Sequence, residues 1–109
     1  MNAAGMIFAL TGVSAVLNMP FYQSLVTDGK VSQEELDGTR HNISSAIATL
    51  KNTPTEKLEA LVAQNDEELT AYLNKFNAIG QEDLLGGLRN AQIMAGYVTT
   101  IMSKSGIRG

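Results

Sequence analysis

The chain contains no cysteine and no tryptophan, a single histidine, and no charged side chain before Asp28. Without Cys there is no disulfide, no thiol nucleophile and no cysteine-based metal site. His41 has no second imidazole to join it, which leaves zinc and other transition metals short of their usual ligands. It also lies outside any nucleophile-elbow context, and the sequence has no P-loop, dinucleotide fingerprint or HExxH helix. Eight Lys and Arg against eleven Asp and Glu give a net charge of -3, so the basic surplus that phosphate binding needs is missing. The expectation is a protein with no metal, no cofactor, no nucleic-acid partner and no catalytic activity.

What is present suits helices. Three Phe and three Tyr in 109 residues leave Leu, Ile, Val, Met and Ala to build the core, a usage closer to helical packing than to sandwiches or barrels. An apolar content of 44% is enough for one core, and the length fits one helical domain over residues 1–109.

The uncharged stretch, residues 1–27, has to be shielded from water by the rest of the chain, by copies or a partner, or by a membrane. Residues 3–18 read as a helix about 24 Å long, which Pro20 ends because proline disfavours helix in the residue before it. A hydrocarbon core about 30 Å thick asks for about 20 residues, and Asn18, Pro20 and Gln23 interrupt any extension, so residues 3–18 are short for a span. Ile7 to Leu10 followed by Val13-Ser14-Ala15 resembles a secretory signal, but no Lys or Arg precedes it. Gly5, Ala9 and Gly12, four and three apart, form a line of small residues along which a second helix can approach closely. Leucine at Gly12 is expected to overpack such an approach, at about 1–3 kcal/mol where the site is buried.

Residues 21–30 read as a connector ending in the Asp28-Gly29 turn. Ser32 and Glu35 then form a capping box with Val31 and Leu36 as its apolar staple, opening a helix over residues 32–51. Its stripe is Leu36, Ile43, Ile47 and Leu50, with Arg40 in the remaining slot and Gly38 weakening the first half. Thr53-Pro54-Thr55-Glu56 is a second start signal, with Thr53 as N-cap and Pro54 in the first turn. The next helix carries Leu58, Val62, Asn65, Leu69, Tyr72, Phe76 and Ile79 at heptad spacing and stops at Gly80. Only a short turn separates these two helices, which predicts an antiparallel hairpin with Ile43 opposite Asn65 and Arg40 near Glu68. Residues 81–104 form the last helix, whose Gly87, Ala91 and Ala95 make a second small-residue line suited to the first helix, in the same chain or in a copy. Gly86-Gly87 are the places where it could break or kink.

Asp66-Glu67-Glu68 and Glu34-Glu35-Asp37 offer carboxylates, but helical neighbours point about 100° apart and no calcium loop surrounds them. Both read as solvated faces. Asn42-Ile43-Ser44 matches a glycosylation sequon inside a helix with Ile43 facing the core, an accidental match.

The expected fold is an all-α bundle of about four helices containing an antiparallel hairpin, with an uncharged apolar N-terminal helix. Its surplus of packing surface over chemistry predicts a structural or assembly subunit acting through helix–helix protein contacts, as in viral particles or secretion apparatus. Gly5, Ala9, Gly12, Ala91 and Ala95 are the expected contact residues, and self-association the expected partnership. Around Asn52-Thr53-Pro54 the helix–turn–helix layout resembles the hairpin subunits of type III secretion needles, over about half of the chain and without a counterpart for the first helix. Two other readings remain: a small adaptor, chaperone or inhibitor that binds one protein, and a membrane-associated protein using residues 3–18.

Overall fold

Short polar side chains set most of the helix starts. In the computed structural model, which describes residues 1–107, Asn2 accepts a 2.8 Å hydrogen bond from the Gly5 amide and opens α1, Ala3–Leu17. Pro20 begins a 3-10 turn, Pro20–Gln23, that runs into the short α2, Ser24–Thr27, so the expected connector is helical over much of its length. Ser32 caps α3, Gln33–Lys51, by accepting from the Glu35 amide at 3.0 Å, and Val31 and Leu36 are both buried beneath it. Asp83 caps α5, Leu84–Lys104, by accepting from the Gly86 amide at 2.9 Å.

The start of α4, Thr55–Ile79, differs from the expectation. Thr53 is not its cap, because its hydroxyl donates backward to the Thr49 carbonyl at 2.8 Å and finishes α3 instead. Pro54 occupies the N-cap position, and its carbonyl accepts from the Lys57 and Leu58 amides. The last helix also starts three residues later than expected, at Leu84, which places Gly86 and Gly87 in its first turn, where they leave it unbroken.

The described residues fill an envelope of 44 × 25 × 18 Å. At 1.5 Å per residue α3 and α4 would reach about 66 Å if laid end to end. The chain therefore reverses at 52–54, and α3 and α4 are antiparallel. They make few direct contacts with one another; α1 and α5 each pack on both of them. The result is the expected all-α bundle, with α1 and α5 on opposite corners and the arms of the hairpin on the other two. This arrangement replaces the residue pairs expected across the hairpin. Arg40 reaches α1, where its Nε donates to the Leu17 carbonyl at 2.7 Å and satisfies an acceptor left over at the helix end. Asn65 accepts from the Tyr97 hydroxyl of α5 at 3.2 Å.

The core is one cluster running the length of the bundle, with Met6, Leu10, Leu17, Leu36, Leu50, Leu69, Phe76, Leu88 and Met94 sealed from water. One end is closed by Tyr22, whose ring is fully buried and whose hydroxyl donates to the Gly80 carbonyl at 2.6 Å. Burial, and then the nearby Asp83 carboxylate, push the Tyr22 hydroxyl up to about 12. Gly80 ends α4 with a right-handed backbone, φ -61°, so it is not a left-handed stop. What both glycines supply is space: a Cβ at Gly87 would stand 2.3 Å from the Tyr22 hydroxyl and 2.9 Å from the Gly80 Cα.

Candidate protein-contact surface

The apolar residues of α1 separate into two faces. Ala3, Met6, Leu10, Val13 and Leu17, spaced three and four apart, are buried against α3 and α4. The Ala3 amide donates to the Glu59 carboxylate of α4, which fixes the start of the helix on its neighbour. On the other side Ala4, Phe8, Thr11 and Ala15 form an exposed row, with Gly5 and Gly12 beside it. Phe8 is 81% exposed, and beyond the end of the helix Met19 and Phe21 are 45% and 40% exposed. Single exposed apolar residues are ordinary; what distinguishes this row is that the helix carrying it has no charged side chain.

The structure scatters the five expected contact residues. Gly5 and Gly12 are exposed, Ala9 is half-buried, Ala91 is fully buried in the core, and Ala95 is buried at 6% exposure. A Cβ on Gly12 would meet nothing within 4 Å, so no close approach inside the bundle uses that position. With α1 and α5 on opposite corners, the two small-residue lines do not face each other within one chain. Phe8 was not among the expected contacts, yet the sequence held a signal for it. The other large apolar residues of α1 follow the three-four spacing of Met6, Leu10, Val13 and Leu17 or flank it half-buried, as Ile7 and Val16 do; Phe8 falls on the opposite side.

A second surface lies between α3 and α5. Here a groove of about 670 Å³ runs over Ala46 and Ala95, with Asn42, Ser45, Gln92 and Thr99 along its walls and no charged residue in its lining. Its end near the start of α3 is closed by a polar clamp. The Gln92 side-chain amide donates to the Glu35 carboxylate at 2.8 Å and to the Thr39 hydroxyl at 3.2 Å, while Arg89 pairs with the same carboxylate. Those donors, Gln92 first and Arg89 second, hold the Glu35 carboxyl below the usual carboxylate range. Glu35 thus serves as an interhelical link and does not reach back as the second half of its capping box. Ile93, one turn before Gly96 on the outer side of α5, is 56% exposed.

Among the described residues no three His, Cys, Asp or Glu side chains converge as a metal site would require. No single described helix is long and apolar enough to cross a membrane; Ala3–Leu17 and Pro20–Thr27 meet the length and composition together but are bent by 55°.

Fold and surfaces define an all-α four-helix bundle with one uncharged helix face turned to solvent. No protein-family model matches the chain, and neither a curated protein nor a solved structure matches it.

Proposed function

We propose that the protein is a non-enzymatic assembly subunit that works through helix–helix contacts between protein chains, in assemblies of the kind built in viral particles or secretion apparatus. The outer face of α1 is its contact surface. The observation that carries this reading is Phe8, a large apolar side chain 81% exposed at the middle of a helix without charge. Covering such a side chain contributes about 1.5–3 kcal/mol, the magnitude of an interface anchor.

Because the same helix supplies core residues from its other face, removing it would unfold the bundle, and the informative change is on the surface. Light scattering after size exclusion, run over a concentration series, should give the wild-type chain a mass that rises above 11.7 kDa. Phe8→Glu should remain at the monomer mass, and its melting curve should match the wild type at a dilution where both are monomeric. A wild-type chain that stays monomeric at every concentration would remove self-association from this account. Flotation of monomeric wild-type protein with liposomes, lost in Phe8→Glu, would transfer the contact from protein to lipid.

A further inference from the structure

We infer that α1 is exchanged between copies: the slot that α1 fills on α3 and α4 takes the α1 of a second copy, and each chain of the pair gives its own helix to the other. This rests on the assembly reading above and adds how the copies are held together.

The slot is built to receive a helix by its main chain. α1 packs mainly on α3 and α4, where Ala3, Met6, Leu10, Val13 and Leu17 are buried. Its two ends are bound by charges that α1 itself lacks. The Glu59 carboxylate of α4 accepts from the Ala3 amide, and Arg40 Nε of α3 donates to the Leu17 carbonyl at 2.7 Å. An anion thus stands at the N-terminus and a cation at the C-terminus, as the helix dipole favours. Both contacts are to backbone, and among the described residues the α1 hydroxyl that bonds, that of Thr11, donates within its own helix, to the Ile7 carbonyl at 2.7 Å. Apolar spacing and helix ends are therefore what the slot recognises, and the α1 of a second copy meets both requirements in full.

The hinge permits the exchange. Asn18, Met19 and Pro20 are all exposed, so redirecting α1 at this point disturbs no buried side chain of the hinge. Pro20 keeps Met19 extended, at φ -65° and ψ 146°, which leaves the turning to Asn18, at φ -89° and ψ 0°. Past the hinge the chain is fastened without α1. Tyr22 is buried and donates to the Gly80 carbonyl, and Leu25 is buried as well. α1 is thus a single arm on a body whose end at Tyr22 has its own anchor.

Area favours exchange over docking between closed monomers. With 15 residues α1 is about 22 Å long, and its exposed strip, about 10 Å wide, offers roughly 200 Å². Each partner in a stable dimer covers about 800 Å², so two closed monomers touching there are held too weakly. Exchange removes the shortfall, because the inner face of each α1 is already a complete packing surface and becomes buried on the partner. The slot contacts are the same in the closed and exchanged forms, so the balance at a given concentration is set by what only the pair has. That is the contact of the outer faces around Phe8, which exchange places within one interlocked unit, where a small face suffices.

Isotope-filtered NMR tests this on the full chain. Wild-type pairs are assembled by refolding an equimolar mixture of isotope-labelled and unlabelled protein at a concentration where light scattering gives the mass of a dimer. Cross-chain NOEs should run from the Met6, Leu10 and Leu17 side chains of one copy to α3 and α4 of the other. If cross-chain NOEs reach only outer surfaces, such as the Phe8 ring, exchange is overturned and the assembly reading survives. A second measurement dilutes the pair after size exclusion. Return to the monomer should be slow, because each α1 has to leave a buried slot, and a return complete within the mixing time overturns exchange. A wild type that is monomeric at every concentration overturns both this inference and the assembly reading on which it rests.

Discussion

Replacing Gly87 with alanine should destabilise this bundle, although alanine is the better helix former by about 1 kcal/mol. The added Cβ would lie 2.3 Å from the Tyr22 hydroxyl, inside any van der Waals contact, and 2.9 Å from the Gly80 Cα. Overpacking of this kind costs about 1–3 kcal/mol. If Tyr22 withdraws, that clash is relieved but the Gly80 carbonyl loses a buried hydrogen bond, at about 1–3 kcal/mol in its place, and the contact with the Gly80 Cα remains. After subtracting the propensity gain the net loss is about 1–2 kcal/mol. A chain of 109 residues unfolds with an entropy near 2.1 cal/mol/K per residue, so 1 kcal/mol corresponds to about 4 °C and the melting temperature should drop by about 4–8 °C. The diagnostic measurement is a double-mutant cycle by thermal and urea unfolding. Tyr22→Phe alone should cost about 1–2 kcal/mol, but in the Gly87→Ala background it removes the clashing oxygen and should cost nothing or restore stability, a coupling of about 1–3 kcal/mol. Recovery stays incomplete because the contact with the Gly80 Cα remains. A Gly87→Ala protein that melts at or above the wild type, or losses that simply add, would refute the account of Tyr22 as the plug of this end.

Other outcomes follow from the same contacts. Tyr22 keeps its proton in the fold up to about 12 but titrates near 10.0 once unfolded, so the unfolded chain binds fewer protons in that window. Stability should therefore be fully present below pH 10 and fall by about 1.4 kcal/mol per unit above it, and urea titrations at alkaline pH should show that slope flattened in Tyr22→Phe. Leu10→Ala empties a site that is 1% exposed and should cost about 2–5 kcal/mol, read as a lower urea midpoint with an unchanged slope. Gly12→Leu points into open space, so thermal unfolding at a dilution where both are monomeric should find it as stable as the wild type or slightly more so, while the mass in concentrated solution falls.

The elements of this fold were legible where local chemistry decides them. The caps at Ser32 and the stops near Asn18 and Gly80 could be read from single residues, and the buried stripes of α3 and α4 from their spacing. What spacing does not carry is the cyclic order of the helices. A stripe states that a helix has a buried face, not which neighbour covers it, so the short turn at 52–54 suggested a zipped hairpin while α1 and α5 in fact separate its arms. The same ignorance hid the use of Arg40, which looked like a polar interruption of a seam and serves the end of α1. Small residues are ambiguous in sequence for a related reason: Gly12 and Gly87 are the same letter, but one faces open space and the other makes room for a phenol. Only the three-dimensional neighbourhood distinguishes them. Phe8 was readable in principle, from its phase, and is the residue on which the functional proposal turns.

The absence of charge along α1 has a kinetic side. Charged surfaces attract one another over about a Debye length and raise encounter rates well above the neutral value, an advantage that salt removes. A contact face without charge offers no such guidance, so copies would meet at about 10⁵–10⁶ M⁻¹s⁻¹, and salt would act only by screening the net charge of -3 that each copy carries. Cooling, which weakens apolar association, would slow growth. An assembly of this kind would be timed by protein concentration and temperature.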